Sequence, residues 1–187
     1  MDKFDLIKKE IDKLTKDVPY EIEYSHSQSV LKWILKLKPN ADVALKIAAI
    51  GHDIDRSIPE RRIRAEDFNN YNKYKKQHSL RSSEIISELM KKFNFNKEII
   101  EKTQLLIENH EVGGKGNVEI LKEADSLSFF ENNLEHYIKT NPKYVKDKIK
   151  FMYKRLSEKA KKLVLEEITF KNKKIKKIVK ETIANID

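Results

Sequence analysis

Four of the five histidines in this 187-residue chain, together with two aspartates, are of the types that share a metal ion. They are His26 in Ser25-His26-Ser27, the adjacent His52 and Asp53, His78, His110 ahead of Glu111, and Asp125 in Glu123-Ala124-Asp125-Ser126. Neutral imidazole and carboxylate suit Fe, Mn, Co, Ni or Zn, and Mg is a further option for the carboxylates. The chain has no cysteine, so zinc–thiolate sites, thiol nucleophiles and disulfides are excluded. A shared divalent ion is the expected cofactor.

The elements that must position these groups read as helices. Only four glycines and four prolines are present, too few for a turn-rich β fold. Helical periodicity covers residues 2–15 through Phe4, Ile7, Ile11 and Leu14, and 21–37 through Val30, Trp33, Ile34 and Leu37. Asn40 is the expected N-cap of a helix over 41–52. Residues 54–66 read as a charged loop, and 67–92 as a helix open to a break near His78. After the Asn94-Phe95-Asn96 turn come helices over 97–111, 118–139 and 142–163, with Pro142 in a first-turn position. Gly113, Gly114 and Gly116 make a loop, and Ile175, Ile178, Val179 and Ile183 mark a last amphipathic segment. The expected architecture is all-α, a single-domain helical bundle over 1–187.

Phasing puts each candidate ligand on an apolar stripe. His26 precedes Val30 and Trp33 by four and seven residues, and His52 continues Leu45, Ala48 and Ala49. His78 shares a face with Ser82, Ile85 and Leu89, His110 with Thr103, Leu106 and Ile107, and Asp125 with Val118, Leu121 and Phe129. Burying an unpartnered polar group costs roughly 2–7 kcal/mol, and an ionised carboxylate costs more. One such histidine is ordinarily held by a backbone carbonyl. Four of them with two carboxylates are explained most economically by a shared cation. Ala48 and Ala49 would let the His52 helix approach its neighbours closely. His136, between Glu135 and Tyr137, lies outside the pattern and receives no role.

The formal net charge is +9, and Lys171, Lys173, Lys174, Lys176, Lys177 and Lys180 crowd the C-terminal end. That run reads as a solvated helix face, or as a surface for nucleic acid or another polyanion. No apolar run approaches the roughly 20 residues that span a bilayer. With no signal-peptide pattern at Met1-Asp2-Lys3-Phe4-Asp5, a cytoplasmic location and no membrane partner are expected. Tyr71, Tyr74 and Tyr153, expected to be exposed, allow an interface between subunits without specifying an oligomer.

The ordered set His26, His52-Asp53, His78, His110, Asp125 resembles the HD-domain superfamily, whose signature is H…HD…D. With His78 and His110 it is similar to the six-ligand subgroup, which includes cyclic-nucleotide phosphodiesterases, HD-GYP proteins and some di-iron oxygenases. Asn109-His110-Glu111 with its glycines looks distantly like the HD-GYP segment, but the Gly-Tyr-Pro element is missing. GHDIDRSIPE, YKKQHS, NHEVGG and EADSLSFFE resemble an uncharacterised family of small stand-alone HD proteins, over residues 24–135. The resemblance implies an HD core of about 21–140, followed by basic helices over about 142–187.

It also implies roles. His26, His52, Asp53 and Asp125 would hold one metal, and Asp53, His78 and His110 a second, with Asp53 bridging. The implied activity is a metal-dependent phosphohydrolase, a phosphomonoesterase or phosphodiesterase, acting on a small phosphorylated substrate such as a nucleotide. The alternatives are a mixed-valent di-iron oxygenase with the same ligands and a non-catalytic nucleotide- or nucleic-acid-binding module. Asp53 would be catalytic through the metals. Asp55 is placed to position a nucleophilic water or a cation, or else is a surface charge opening the 54–66 loop. Glu111 is placed to orient its neighbouring ligand. Arg56 and Arg81 are the expected phosphate anchors, with Lys75, Lys76 and Lys115 as further candidates.

Overall fold

Helix-forming residues interrupted by Asn, Asp and Ser caps give this chain ten α-helices and no strand among the described residues, which are 2–16, 21–170 and 172–186 of the computed structural model. In order they are α1 (Lys3–Lys16), α2 (Glu21–Leu37), α3 (Val43–Gly51), α4 (Tyr71–Lys92) and α5 (Lys97–Asn109). Then follow α6 (Asn117–Ser128), α7 (Leu134–Thr140), α8 (Val145–Lys154), α9 (Glu158–Glu166) and α10 (Lys173–Ala184). The chain is the all-α bundle its periodicity predicts. No helix is long and apolar enough to cross a membrane.

The central element is α3, buried along nearly its whole length from Ala44 to Gly51. Apart from Lys46 its residues are apolar on every side, and a helix without a solvent face belongs inside. It packs against α2, α5 and α6, with α1 across its outer side. Gly51 sets the approach of α4: a Cβ there would collide with the fully buried Ile86 side chain.

Caps decide where several helices begin. Asp42, not Asn40, caps α3, its Oδ1 accepting from Leu45 N at 2.9 Å. Asn70 caps α4, so that helix opens at Tyr71 rather than 67, and it runs unbroken through His78. Asn96 and Asn172 cap α5 and α10 in the same way. Such a cap is worth typically about 1 kcal/mol. The expected 142–163 helix is two helices. A 3₁₀ turn at Pro142–Tyr144 leads into α8, and the chain breaks at Arg155-Leu156-Ser157. Ser157 caps α9 there, while its own N–H donates to Glu123 at 2.7 Å.

Two further departures bear on the site. The 54–66 loop is wound into short 3₁₀ turns at Ile54–Ser57, Pro59–Arg61 and Ala65–Asp67. The expected 118–139 helix is continuous but carries a π-helical turn at Phe129–Asn133, a feature frequent at functional sites. On α10, Ile175 and Val179 are buried and the helix packs against α8, leaving Lys173, Lys174, Lys176, Lys177 and Lys180 exposed. Lys171 lies outside the described residues.

Candidate metal centre

Each of the four histidines is tied by Nδ1 to an acceptor of its own. His52 and His110 follow the last turns of α3 and α5, and their Nδ1 atoms reach the carbonyls of Ala49 at 3.1 Å and Ile107 at 2.7 Å. Those carbonyls are among the orphans every helix C-terminus leaves, so the same local geometry fixes both rings. His26 Nδ1 bonds Ser128 Oγ at 2.8 Å, and Ser128 in turn donates to the His26 carbonyl. His78 Nδ1 bonds Asp55 Oδ1 at 2.6 Å. With every Nδ1 engaged outward, every Nε2 points to one shared centre.

The donor atoms converge there. His26 Nε2 lies 3.3 Å from His52 Nε2 and 3.4 Å from Asp125 Oδ1. Asp53 Oδ2 stands 3.7 Å from His52 Nε2 and 3.9 Å from His26 Nε2. The other oxygen, Asp53 Oδ1, faces His78 Nε2 at 2.8 Å and His110 Nε2 at 3.6 Å. Asp53 therefore divides its two oxygens between two clusters, His26–His52–Asp125 and His78–His110. Four donors at 2.0–2.1 Å around one tetrahedral ion stand roughly 3.4 Å apart, so the spacing and the N/O donor set fit a divalent ion.

The electrostatics of the cluster call for positive charge. Burial pushes His52 down to about 4, so its Nε2 offers a lone pair at neutral pH. Burial also opposes charge on His26, but its hydrogen bond to Asp125 and the surrounding carboxylates raise it overall. At His78, burial and Arg56 work against protonation, yet Asp53 and Asp55 carry the group up to about 9. Burial opposes ionisation of Asp53 and Asp125 too. Arg56 beside Asp53, and His26 with Arg155 beside Asp125, nevertheless hold both well below the usual carboxylate range.

A cavity of about 440 Å³ opens onto this centre, with His26, Asp53, His110 and Asp125 in its wall. Of the expected anchors, Arg56 lines it, with Nη1 2.5 Å from Asp53 Oδ2. Arg81 does not: it points outward and pairs with Glu84 at 3.1 Å. The cavity lies on the N-terminal side of His78 along α4, the direction in which helical side chains lean, so Tyr71 and Lys75 line it instead. Lys76 and Lys115 are exposed and outside the cavity. In the glycine loop the Gly114 N–H turns to Glu119, at the start of α6.

Two further expectations are corrected. Asp55 is fully buried behind His78, where Oδ1 also accepts from Ser82 Oγ at 2.9 Å and Oδ2 accepts from Ile63 N at 3.3 Å. It faces neither the cavity nor the solvent, so what it fixes is the His78 ring rather than a water. Glu111 does line the cavity, but His110 Nδ1 is held by Ile107 instead. Glu111 faces Arg155 at 3.3 Å and Lys75 at 3.6 Å, and it forms a further donor group with His78 and His110.

Several residues that line the cavity have no place in the sequence reading. Glu23 sits one turn before His26, a spacing that could have flagged it, and burial raises its pKa. Lys148, Phe151, Met152 and Arg155 come from α8 and its end, outside the 21–140 core. Arg155 Nη2 bonds the His110 carbonyl and Asp125 Oδ2, both at 3.2 Å. Arg62 and His136 also line the cavity, so His136 adjoins the site without touching the donor cluster. Tyr71, exposed as expected, also lines the cavity, and the half-buried Tyr74 stacks on the His78 ring at 5.8 Å.

No curated protein and no solved structure matches this chain. The model of one family, the domain of unknown function DUF4202, matches residues 2–179. Spanning nearly the whole length, that match makes the chain a member of the DUF4202 family.

Proposed function

We propose that this protein is a metal-dependent phosphohydrolase of the HD-domain type, acting on a nucleotide or small phosphate ester. The observation that carries the reading is the company the donor cluster keeps. Arg56, Arg62, Lys75, Lys148 and Arg155 line the same cavity as His26, Asp53, His110 and Asp125. Cations gathered over a cluster of metal donors match a substrate whose reacting group is itself anionic. A di-iron oxygenase with the same donors would not by itself require that set of cations. A nucleic-acid-binding module would need them on an open surface rather than in a cavity.

His26, His52, Asp53 and Asp125 would hold one ion, and Asp53, His78 and His110 a second. Such ions supply a water made acidic enough to act as a nucleophile near neutral pH, and charge to offset that of the phosphoryl oxygens. The chain does the rest. Ala49, Ile107, Ser128 and Asp55 keep the four imidazoles aimed inward. Arg56 and Arg155 hold Asp53 and Asp125 ionised and stand ready for phosphoryl oxygens. The water loses a proton to solvent and its oxygen adds to phosphorus, the ester P–O bond breaks, and the departing oxygen takes a proton from the chain. Glu23 carboxyl, buried enough to keep its proton to a higher pH than a free glutamate, is placed on the cavity wall to supply it.

Metal content by elemental analysis, followed by a phosphatase and phosphodiesterase panel with Mn²⁺, Co²⁺, Ni²⁺, Mg²⁺ and Fe²⁺, tests the proposal. Asp53→Ala removes the carboxylate that serves both clusters and should cost at least about a hundredfold in rate. Full activity in that variant, or no phosphate release from any ester by the loaded wild-type protein, would overturn it.

A further inference from the structure

α8 contributes a wall to the cavity through Lys148, Phe151 and Met152, at helical spacing i, i+3 and i+4, with Arg155 just past its end. The Phe151 ring has three cations around it: Lys148 at 5.4 Å, Lys75 at 5.6 Å and Arg155 at 5.6 Å. Two of these have carboxylates of their own. Arg155 meets Asp125 and Glu111, and Lys75 meets Glu111. Across the cavity, Arg56 meets Asp53.

Lys148 has none. Its ammonium lies over the rings of Phe129 at 5.5 Å and Phe151 at 5.4 Å, and no carboxylate among the described residues comes within ion-pair distance. Burial lowers its pKa, with the more distant charges of Asp125 and Glu111 pulling the other way. Arg62, the other unpaired cation of the cavity, is exposed, so water satisfies it. Lys148 is half-buried against two apolar rings, and only the water of the cavity meets its ammonium. Its missing partner is an anion that enters the cavity.

The charge of the lining says what kind of anion. Five cations face four carboxylates, those of Glu23, Asp53, Glu111 and Asp125, and burial drives Glu23 toward its neutral form. Any divalent ion in the donor cluster adds two further positive charges. A phosphate diester brings one negative charge and two blocked oxygens. A monoester brings about −1.5 to −2 at neutral pH and three terminal oxygens, enough for the metal centre and a lysine together.

We propose that Lys148 is a specificity-determining residue that binds a terminal oxygen of the substrate phosphate, so that the protein acts on phosphomonoesters in preference to diesters. This rests on the phosphohydrolase reading and narrows its substrate class. Lys148 acts on binding and on the choice between esters, while bond cleavage remains with the donor cluster.

The test uses full-length, metal-loaded protein as wild type, Lys148→Met and Lys148→Arg. Methionine keeps an unbranched stem on the two rings, and arginine keeps the charge. With p-nitrophenyl phosphate and bis(p-nitrophenyl) phosphate as probes, Lys148→Met should raise the monoester KM about tenfold with a much smaller change in kcat. The monoester-to-diester ratio of kcat/KM should fall about as much, and Lys148→Arg should recover most of it. Inorganic phosphate binding, followed by calorimetry, should weaken about tenfold in Lys148→Met. That second arm separates the two ideas: if the wild type releases phosphate from neither probe nor any ester of the wider panel, the enzymatic reading falls, and phosphate binding still decides Lys148. Equal phosphate affinity in wild type and Lys148→Met, or an unchanged monoester-to-diester ratio, would overturn the assignment.

Discussion

Asp55 accepts a 2.6 Å hydrogen bond from His78 Nδ1, and both side chains are sealed from solvent. The pair puts a carboxylate directly behind an imidazole whose other nitrogen faces Asp53 at 2.8 Å. A buried carboxylate in that position fixes the ring and makes Nε2 a better donor. Ser82 Oγ and Ile63 N, both bonded to Asp55, keep the carboxylate itself from turning.

Asp55→Asn keeps the shape of the side chain and removes its charge. The second equivalent of Mn²⁺ or Co²⁺ should bind about 10–100-fold more weakly, the usual cost of losing an outer hydrogen-bond partner. The first equivalent, on the His26 and His52 side, should change far less. Titration calorimetry with elemental analysis reads both, and two undiminished equivalents would show that Asp55 does not support a ligand.

Metal uptake should depend on pH in a direction set by His78. Burial and Arg56 act to lower its pKa, but Asp53 and Asp55 outweigh them and hold its proton to about 9. A metal must displace that proton, so affinity should rise by about tenfold per pH unit from pH 7 toward 9 and then level off. His26 is raised in the same direction by Asp125 and the other carboxylates, whereas His52, near 4, is already neutral and adds nothing. Without metal the sign reverses. The stability that His78 contributes is complete below its unfolded pKa of about 6.5 and is lost as pH rises through about 9. Calorimetric titrations at pH 7, 8 and 9 check the first trend, and a flat affinity would remove His78 from the ligands.

Glu23→Gln tests the proposed proton donor. Loss of general-acid catalysis typically costs about 10²–10⁴-fold, and the loss should be greatest for esters with poor leaving groups. For p-nitrophenyl phosphate, whose leaving group needs little protonation, the effect should be much smaller. The contrast in kcat between an alkyl and a nitrophenyl ester is the measurement. Equal losses on both would assign Glu23 a structural role.

The fold and the site were not equally legible. Helical periodicity carried the all-α architecture because an amphipathic stripe is a local property, readable within two turns. The boundaries slipped where caps compete: Asp42 took the place expected for Asn40, and Ser157 split a helix whose apolar pattern runs on through it. The anchors were less visible still. Arg81 stands one turn past His78 in sequence, yet which flank of α4 meets the cavity depends on tertiary packing, and Arg81 pairs with Glu84 instead.

Residue type, order and phasing alone pointed His26, His52, His78, His110 and Asp125 inward from five helical segments, with Asp53 following from its place beside His52. Burying such groups is costly unless each finds a partner, so side chains of these types on apolar stripes are expected to gather around one another. What only the tertiary structure decided is how they face one another and what surrounds them. It splits Asp53 between two clusters, sets Asp55 behind His78, and brings Glu23, Lys148 and Arg155 into one cavity. Those relations join residues far apart along the chain, through the packing of α2, α4, α6 and α8, and no local periodicity encodes them.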